Sequence, residues 1–336
     1  MSQDTTPQDR SIAVVGATGH TARFVIEELL RRKLRPIAIA RNPDALAKAQ
    51  FSGDVIRRHL RLNDAASLDA VLKGAHAVIN CAGPFVDFAE DVVAAALRAR
   101  IHYVDVTAEE PSARRTLENF DASAREAGVA VIPSVGFYGA LGDLLVTAAL
   151  GDWASADTVE LMIGLDRWHP TLGTRKTLAR LSEAAAAEPH PPRKKHWDFG
   201  EPLGQQVLVE FALTERLLIL RHVRTSDLRI FLSEVALGDV TDPTTPVPEA
   251  VDPLGRSSQR FVVEALVTRG QAWRRATARG IDAYAFTAPL VCEVTTRLLD
   301  GRLRENGAHA PGEILDATDL LMSLSPEPVK FEIATS

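Results

Sequence analysis

A glycine turn near the beginning of the chain has the residue types that hold phosphate groups. The apolar run at residues 11–15 leads directly into Gly16 and Gly19, and a helical pattern follows at once. Glycines at this spacing let the backbone pass close to phosphate oxygens, while the helix presents its N–H groups and the positive end of its dipole to the anion. The turn therefore predicts a pyrophosphate site, and a glycine turn that serves packing alone is the alternative. The binding residues that it offers are Gly16, Thr18, Gly19, His20 and Thr21.

A cation follows the second apolar run, where dinucleotide-binding domains select their cofactor. Arg41 stands twenty-five positions after Gly16, at a place where an NAD-selective site offers an acid to the ribose hydroxyls. A guanidinium there holds a 2′-phosphate through charge-assisted hydrogen bonds, and Asn42 adds a donor beside it. These residues predict NADP as the cofactor. The alternative is a solvated arginine that opens the turn at Pro43.

Small residues end the fourth predicted strand and let a backbone approach a ligand closely. They stand where a bound dinucleotide continues toward its nicotinamide, and Asn80 is a candidate hydrogen-bond partner for the nicotinamide ribose. Cys81 is interpreted as a packing residue, because no His-based pair near it in the sequence would activate a nucleophile. The cofactor-binding candidates at this edge are Asn80, Ala82, Gly83, Pro84 and Thr107.

The fifth predicted strand carries titratable residues. Alternation along a strand places Tyr103, Asp105 and Thr107 on one face. In a sheet that is covered on both sides, Asp105 must be paired or lie near the open edge. A structural hydrogen-bonding role for this carboxylate is at least as well supported as a catalytic one.

Two residues are candidate proton donors for chemistry at such a cofactor. Tyr138 follows the last strand of the first predicted domain, which places it at the carboxyl edge of the sheet and makes it the better candidate. His196 lies in the string Lys194-Lys195-His196-Trp197, and the alternative for both is a packed aromatic or a solvated loop residue. No Tyr-x-x-x-Lys pair occurs in the expected region. The nine histidines show no spacing typical of metal ligands, so no metal is predicted.

Composition excludes several classes of protein. With 46% hydrophobic and 24% charged residues, the chain is typical of a globular protein and not of a disordered one. The net charge of -6, with Lys and Arg scattered among acids, argues against a nucleic-acid partner. No segment reaches the roughly 18 apolar residues of a membrane span. Two cysteines are too few for a disulfide framework, which predicts a cytoplasmic location, and residues 1–10 are interpreted as a polar tail.

Short apolar runs alternate with amphipathic stretches over residues 12–135, a pattern typical of a parallel sheet covered by helices on both faces. The predicted strands are 12–15, 36–40, 55–60, 77–81, 101–106 and 129–133. The predicted helices are 21–32, 44–49, 66–73, 88–98 and 111–127. Six strands with helical crossovers make a complete dinucleotide-binding domain, so the predicted fold class is α/β with a doubly wound parallel sheet of the Rossmann type.

The pattern becomes less regular after residue 136 and predicts a second, α+β domain built on a mixed sheet. The predicted strands are 158–166, 206–213, 216–223 and 228–232, followed by a hairpin over 260–268 and 271–279. The predicted helices are 141–150, 174–187, 287–299 and one near 315–323, and an apolar run lies at 329–333. Residues 189–195 and 242–258 are predicted connections. The domain limits are 1–138, 139–285 and 286–336.

Several of these strings occur in the order seen in the saccharopine dehydrogenase-like family, and they resemble in particular its branch of shorter proteins that includes the trans-acting enoyl reductases. The resemblance is strongest over residues 10–140. It implies a Rossmann domain, a second domain on a mixed sheet, and C-terminal helices that return to the first domain. The strings are Val14-Val15-Gly16-Ala17-Thr18-Gly19, Ala38-Ile39-Ala40-Arg41-Asn42, Asn80-Cys81-Ala82-Gly83-Pro84 and His102-Tyr103-Val104-Asp105-Val106-Thr107.

The residues and the resemblance together predict an NADPH-dependent oxidoreductase. It would transfer a hydride to a C=C, C=O or C=N bond of a small-molecule substrate bound between the two domains. The alternative is a regulatory or scaffold protein that binds NADP without turnover. A homodimer is expected, because the mixed sheet of such second domains often provides a two-fold interface.

Overall fold

The computed structural model describes residues 10–61, 64–184 and 192–336, which form two compact units. The first unit comprises the chain up to Gly136 together with Thr287–His309, and the second comprises Phe137–Phe286 together with Ala310–Ser336. Most of the predicted N-terminal tail, the end of the helix predicted over 174–187 and the first part of the connection predicted over 189–195 lie outside the described residues.

The strands of the described residues are β1 (Ser11–Val15), β2 (Arg35–Ala40), β3 (Ile56–His59), β4 (Ala77–Asn80), β5 (His102–Asp105), β6 (Ala130–Ile132), β7 (Ala156–Leu165), β8 (Lys194–Asp198), β9 (Gln205–Glu210), β10 (Thr225–Ser233), β11 (Arg260–Arg269), β12 (Ala272–Ile281), β13 (Gly307–Ala308) and β14 (Val329–Thr335). The helices are α1 (His20–Arg31), α2 (Pro43–Lys48), α3 (Ala65–Leu72), α4 (Ala89–Ala99), α5 (Glu110–Asn119), α6 (Asp121–Ala127), α7 (Ala140–Leu150), α8 (Leu172–Ala184), α9 (Glu215–Ile219), α10 (Glu234–Thr241), α11 (Ala283–Leu299), α12 (Pro311–Ile314) and α13 (Ala317–Ser323), with a 3-10 turn at Phe85–Asp87.

The sheet of the first unit is parallel throughout, with the strand order β13-β6-β5-β4-β1-β2-β3. The predicted α/β fold with a Rossmann-type sheet is therefore confirmed. The chain runs outward from β1 through β2 and β3, then returns to place β4 on the other side of β1. This reversal opens a crevice at the carboxyl ends of β1 and β4, which is where such sheets bind ligands.

Apolar residues explain why these segments pack as they do. All five residues of β1 and all four of β4 are buried, as expected for central strands with helices on both faces. Helix α1 buries Ala22, Val25, Ile26 and Leu29, a spacing that forms one face of a helix. Its last turn is held in the first unit by Arg32, whose guanidinium donates to Glu28 at 2.6 Å and to Glu293 at 2.7 Å.

The second unit contains the predicted mixed sheet, with the order β14-β12-β11-β7-β10-β9-β8. Only the pair β7 and β10 is parallel among the described strand pairs of this sheet, and its neighbours run antiparallel. A buried cluster packs on one face of the sheet, and its members are Met162, Phe199, Leu208, Phe231 and Val262.

Two predictions for the second unit are wrong. No strand forms over the predicted range 216–223: residues 216–219 belong to the helix α9 and a turn follows, since a short apolar run does not by itself distinguish a strand from a helix segment. The end of the predicted connection over 189–195 belongs to β8, which pairs with β9. Strand β8 escaped prediction because its polar residues carry no strong apolar alternation. Within the predicted C-terminal segment, Thr287–His309 lies in the first unit and Ala310–Ser336 in the second, and the domain limits themselves stay a prediction.

Candidate functional site

The glycine turn after β1 forms a tight loop at the carboxyl edge of the first sheet. The N–H groups of Gly16 and Ala17 both donate to the carbonyl of Ile39, at 2.9 and 3.0 Å. The N–H of Gly19 donates to the carbonyl of Gly16 at 2.8 Å and closes the turn. Gly16 has a φ of +82°, a conformation in which any other residue is strained. The backbone of the turn is thus tied to β2 and needs a glycine at its first position.

Gly16 also lies against the loop that follows β4. A Cβ atom at Gly16 would stand 2.9 Å from the backbone nitrogen of Ala82 and 3.0 Å from the carbonyl carbon of Cys81. Those distances are shorter than normal contacts, and backbone atoms do not move aside as a flexible side chain does. Two predicted cofactor-binding segments, the turn at Gly16 and the loop at Ala82, therefore meet at one point.

The beginning of helix α1 is arranged to receive an anion. Gly19 is its N-cap, and within the described residues no side chain caps the helix and no acid lies in its first turn. Thr18 and Gly19 are exposed, while His20 and Thr21 are half-buried. A helix of twelve residues presents a partial positive charge at this end, and a phosphate satisfies backbone donors that the protein leaves open. These four residues lie together at the start of α1, and their contact with a pyrophosphate stays a prediction.

Arg41 and Asn42 lie at the carboxyl end of β2, one strand away from the glycine turn. Both are exposed. The side-chain oxygen of Asn42 accepts a hydrogen bond from Ala45 N at 3.0 Å and caps α2, so its amide hydrogens remain the donors for a ligand. The ring of His59 contacts the carbonyl of Arg41 at 3.0 Å, and no ion pair engages the Arg41 guanidinium in the described part of the chain.

Asn80 is wholly buried and links the end of β4 to the loop beyond it. Its Oδ1 accepts from Ala82 N at 3.0 Å, and its Nδ2 donates to the Tyr103 hydroxyl at 3.2 Å. The Tyr103 hydroxyl in turn donates to Asp105 Oδ2 at 2.8 Å. Asn80 therefore fixes the backbone of Ala82, the residue that Gly16 approaches. Only the second amide hydrogen of Asn80 remains for the predicted contact with the nicotinamide ribose.

Asp105 joins the ends of two neighbouring strands. Its Oδ1 accepts from Thr107 N at 2.9 Å and from Ser134 N at 2.8 Å. Burial of the carboxyl group raises its pKa to about 6, and the hydrogen bonds from Ser134, Thr107 and Tyr103 oppose part of that rise. This geometry is that of a structural carboxylate, which is one of the two roles weighed from the sequence. Thr107 is itself buried, and its hydroxyl accepts from Glu109 N at 3.0 Å.

A second buried carboxylate, Glu109, was not found from the sequence. Its two oxygens accept from Phe85 N at 3.0 Å and Val86 N at 2.8 Å, the first residues after Pro84. Glu109 therefore holds the loop that carries Ala82, Gly83 and Pro84. The available signal was the acid that follows the fifth strand, four residues after Asp105, but nothing in the sequence indicates that it turns back to this loop.

Cys81 lies within this same network. Burial raises the pKa of its thiol, and the nearby Asp105 carboxylate raises it further. A thiol in such surroundings stays protonated and unreactive at neutral pH. The interpretation of Cys81 as a packing residue is consistent with these surroundings.

The two candidate proton donors lie in the second unit and differ in their surroundings. The ring of Tyr138 lies 4.8 Å from that of Trp168 and 5.0 Å from that of Phe137. Its hydroxyl oxygen is buried and has no hydrogen-bond partner among the described residues. Burial raises the pKa of Tyr138 well above its usual value, and the phenol is therefore neutral. His196 is exposed on β8, the edge strand of the second sheet.

The basic residues around His196 are engaged with acids of the same unit. Lys194 contacts Glu234 at 2.5 Å, and Lys195 contacts Glu160 at 2.7 Å.

Over the described residues, no three His, Cys, Asp or Glu side chains come together as potential metal ligands. The helices of the same residues include none that is long and apolar enough to cross a membrane.

Comparison with known proteins shows which proteins this chain is similar to. Residues 12–132 match the family model described as the saccharopine dehydrogenase NADP binding domain. The predicted resemblance to the saccharopine dehydrogenase-like family is confirmed. The saccharopine dehydrogenase-like oxidoreductase of Bos taurus is 28% identical over 145 residues, which cover 38% of this chain and 34% of that protein. The lipid droplet localized protein of Caenorhabditis elegans is 26% identical over 202 residues, covering 53% of this chain and 46% of that protein.

The likeness to saccharopine dehydrogenase extends over both units at the level of the fold. The apo saccharopine dehydrogenase (L-Glu forming) of Saccharomyces cerevisiae superposes with a TM-score of 0.68, covering 97% of this chain and 100% of that one at 14% identity. The sequence matches cover less of the chain than this structural match does. The aligned region spans about a third of the length of the mammalian relatives.

The region of this chain that matches the NADP binding model contains the predicted cofactor-binding residues. Gly16 makes room for the backbone of Ala82, no acid lies in the first turn of α1, and Arg41 is exposed at the end of β2. NADP is therefore the cofactor of this domain, as the sequence predicted.

Proposed function

We propose that this protein is an NADPH-dependent oxidoreductase that transfers a hydride to a C=C, C=O or C=N bond of a small organic substrate. The observation that carries the proposal is the meeting of Gly16 with the loop at Ala82, beside the uncapped start of α1, in a domain that matches an NADP binding model. NADPH supplies the hydride when it is bound, and the protein must supply orientation, a dry site and a proton.

The cofactor-binding residues divide into three groups in this proposal. The turn residues Gly16, Thr18, Gly19, His20 and Thr21 hold the pyrophosphate. Arg41 and Asn42 hold the 2′-phosphate, where a guanidinium forms two parallel hydrogen bonds with oxygens of one phosphate. The residues Asn80, Ala82, Gly83, Pro84 and Thr107 line the path of the nicotinamide half. Asp105 and Glu109 are positioning residues in this proposal, because Asp105 accepts from Thr107 N and Glu109 accepts from the two backbone N–H groups that follow Pro84.

Tyr138 is the proton donor in this proposal, and His196 is the second candidate. A neutral phenol keeps its proton until a substrate anion develops beside it, and a buried hydroxyl without a partner is ready to donate to one. His196 lies exposed on an edge strand, where water competes for its hydrogen bonds. The orphan hydroxyl is thus the feature that favours Tyr138.

Consumption of NADPH is the direct test of the proposed activity. The purified protein is first titrated with NADPH and with NADH, followed by cofactor fluorescence, and then mixed with a panel of enones, ketones and imines. We expect tighter binding of NADPH than of NADH and oxidation of NADPH with at least one class of substrate. Binding without oxidation across all three classes would favour the alternative, a regulatory or scaffold protein that holds NADP without turnover. Absence of binding would contradict both.

A homodimer and a cytoplasmic location complete the proposal. The dimer is proposed because a mixed sheet often supplies a two-fold interface, and the location follows from the scarcity of cysteines. Light scattering on the purified protein checks the first, and fractionation of cells that express it checks the second.

A further inference from the structure

A long loop in the second unit borders a small cavity. Residues 242–259 contain neither helix nor strand, and connections longer than about 12–15 residues are uncommon in compact domains, where they are usually either functional loops or linkers. The cavity has a volume of about 180 Å³, and both this loop and the segment after β7 contribute to its lining. Its residues all belong to the second unit, and none of them is a proposed cofactor-binding residue.

The loop is held in one conformation by hydrogen bonds. Arg175 of α8 donates to the backbone carbonyls of Asp242 and Thr245. Further along the loop, the Asp252 carboxylate accepts from Arg256 Nε at 2.6 Å and from Arg256 N at 3.0 Å. Where the loop ends, Gln259 Nε2 donates to the carbonyl of Arg167 at 2.6 Å. The cavity is therefore formed in advance, which reduces the entropy lost when a ligand binds.

Three residues with hydrogen-bond donor groups line the cavity. Arg167, His169 and Ser258 are among its lining residues. The contact of the Arg167 guanidinium with Asp166 is long, at 3.8 Å, and 48% of the Arg167 side chain is exposed. In the described part of the protein, neither the ring of His169 nor the hydroxyl of Ser258 has a hydrogen-bond partner. These groups are available to an acceptor from outside the chain.

The remaining lining is largely apolar. Pro246, Pro248 and Val251 present hydrocarbon to the cavity. Tyr284 presents its ring, because its hydroxyl already accepts from Trp168 Nε1 at 2.9 Å and bonds to a threonine of α8. A ligand that fits this lining combines a group of acceptor oxygens with a small apolar body.

We propose that this cavity is a binding site for a small organic carboxylate. The carboxylate oxygens accept from the Arg167 guanidinium, His169 and Ser258, and the apolar body lies against Pro246 and Pro248. A guanidinium is the side chain best suited to a carboxylate, since it donates two parallel hydrogen bonds. The volume lies below the about 300–1,000 Å³ of pockets for drug-sized ligands, which restricts the ligand to a small acid.

One acidic residue at the cavity allows an experiment to distinguish an anionic ligand from a cationic one. Glu249 is exposed and also lines the cavity. Its negative charge repels a bound carboxylate, whereas it would attract a bound cation. Neutralising Glu249 and neutralising Arg167 must therefore change the affinity for a carboxylate in opposite directions.

Calorimetric titration of the full chain without NADP(H) tests the site, with benzoate as the probe and benzamide as its neutral counterpart. We expect benzoate to bind and benzamide to bind at least tenfold more weakly. Arg167→Gln should weaken benzoate binding at least tenfold, and Glu249→Gln should strengthen it by about two- to fivefold, the effect of one exposed charge. Arg224→Gln is the matched control, because Arg224 is an exposed arginine of the same unit that does not line the cavity.

Three results would overturn the proposal: no heat of binding for benzoate, equal affinities for benzoate and benzamide, or a loss of benzoate affinity in Glu249→Gln. The Glu249 variant keeps the test decisive if Arg167→Gln fails to fold. Because no cofactor is present in the titration, its outcome is independent of the proposed oxidoreductase activity.

Discussion

The Tyr103 hydroxyl donates a 2.8 Å hydrogen bond to Asp105, and both side chains are wholly buried. Asp105 also accepts from the backbone of Thr107 and Ser134, while the Tyr103 hydroxyl accepts from Asn80. One network thus ties the ends of β4, β5 and β6 together at the edge of the first sheet where we propose that the cofactor binds. The shape of the site therefore depends on the buried Asp105 carboxyl group, whose pKa of about 6 lies in the range of ordinary buffers.

Asp105 should make the stability of the protein depend on pH. Burial raises its pKa to about 6 from an ordinary value of 3.8, so the folded protein binds this proton more tightly than the unfolded chain does. The stability that the proton contributes is fully present below pH 3.8 and is lost as the pH rises through about 6. A rise of the pKa from 3.8 to about 6 corresponds to a full change in the free energy of unfolding of about 3 kcal/mol.

The variant Asp105→Asn isolates this effect, because a carboxamide does not titrate. We expect the free energy of unfolding of the wild type, relative to that of the variant, to fall by about 2.4 kcal/mol between pH 4 and pH 7 in urea titrations. Asp152→Asn is a control of opposite sign, since the hydrogen bond from Arg274 lowers the pKa of Asp152 and its stabilising effect is lost as the pH falls. A difference between wild type and Asp105→Asn that stays constant with pH would contradict the role given to this carboxyl group.

Gly16→Ala should weaken NADPH binding, because a Cβ atom would stand 2.9 Å from the backbone nitrogen of Ala82 and displace the loop after β4. Gly74→Ala is the matched control: Gly74 has a φ of +77°, close to that of Gly16, but a Cβ atom there meets nothing within 4 Å. We expect the control to lose about 1 kcal/mol of stability from backbone strain alone. Gly16→Ala should lose more stability and bind NADPH at least tenfold more weakly in fluorescence titrations. Equal behaviour of the two variants would show that the approach to Ala82 does not matter.

Much of this site could be predicted from the sequence, because parallel strands bring their carboxyl ends to one edge. Gly16, Arg41 and Asn80 each follow a recognisable apolar run, so their common edge was predictable. The contact between Gly16 and Ala82 was not predictable. The two residues are 66 positions apart, and sequence spacing does not indicate which distant backbone segments meet. Glu109 was missed for a similar reason. Its partners are backbone N–H groups, which every residue except proline has, so no residue type in the sequence indicates them.

Arg41→Ala should separate the two nicotinamide cofactors. A hydrogen bond to a charged group contributes about 1.5–3 kcal/mol, so loss of the contact with the 2′-phosphate should weaken NADPH binding about tenfold or more. NADH lacks that phosphate, and its affinity should change little. Arg35→Ala is the control, because Arg35 is an exposed arginine at the opposite end of the same strand. Equal losses for NADPH and NADH in Arg41→Ala would remove the assignment of Arg41 to the 2′-phosphate.

Tyr138→Phe should lower activity without lowering stability. The Tyr138 hydroxyl is buried and has no partner within the described residues, so its removal relieves an unsatisfied polar group, whose cost is about 1–3 kcal/mol. Removing a proton donor typically slows a reaction about 10²- to 10⁴-fold. We therefore expect NADPH oxidation to fall by this factor, while the melting temperature stays the same or rises and the affinity for NADPH is unchanged.

Tyr284→Phe is the matched control for Tyr138→Phe, because the Tyr284 hydroxyl has hydrogen-bond partners. The Tyr284 hydroxyl accepts from Trp168 Nε1 at 2.9 Å and bonds to Thr174 at 2.8 Å, so Tyr284→Phe should lose about 1–3 kcal/mol of stability. If Tyr138→Phe instead loses stability as Tyr284→Phe does, its hydroxyl is structural. If it keeps full activity, the proton comes from another group, and His196→Gln is the next variant to measure. A gain in stability together with a loss of turnover is the combination expected only of a hydroxyl that is kept for the reaction.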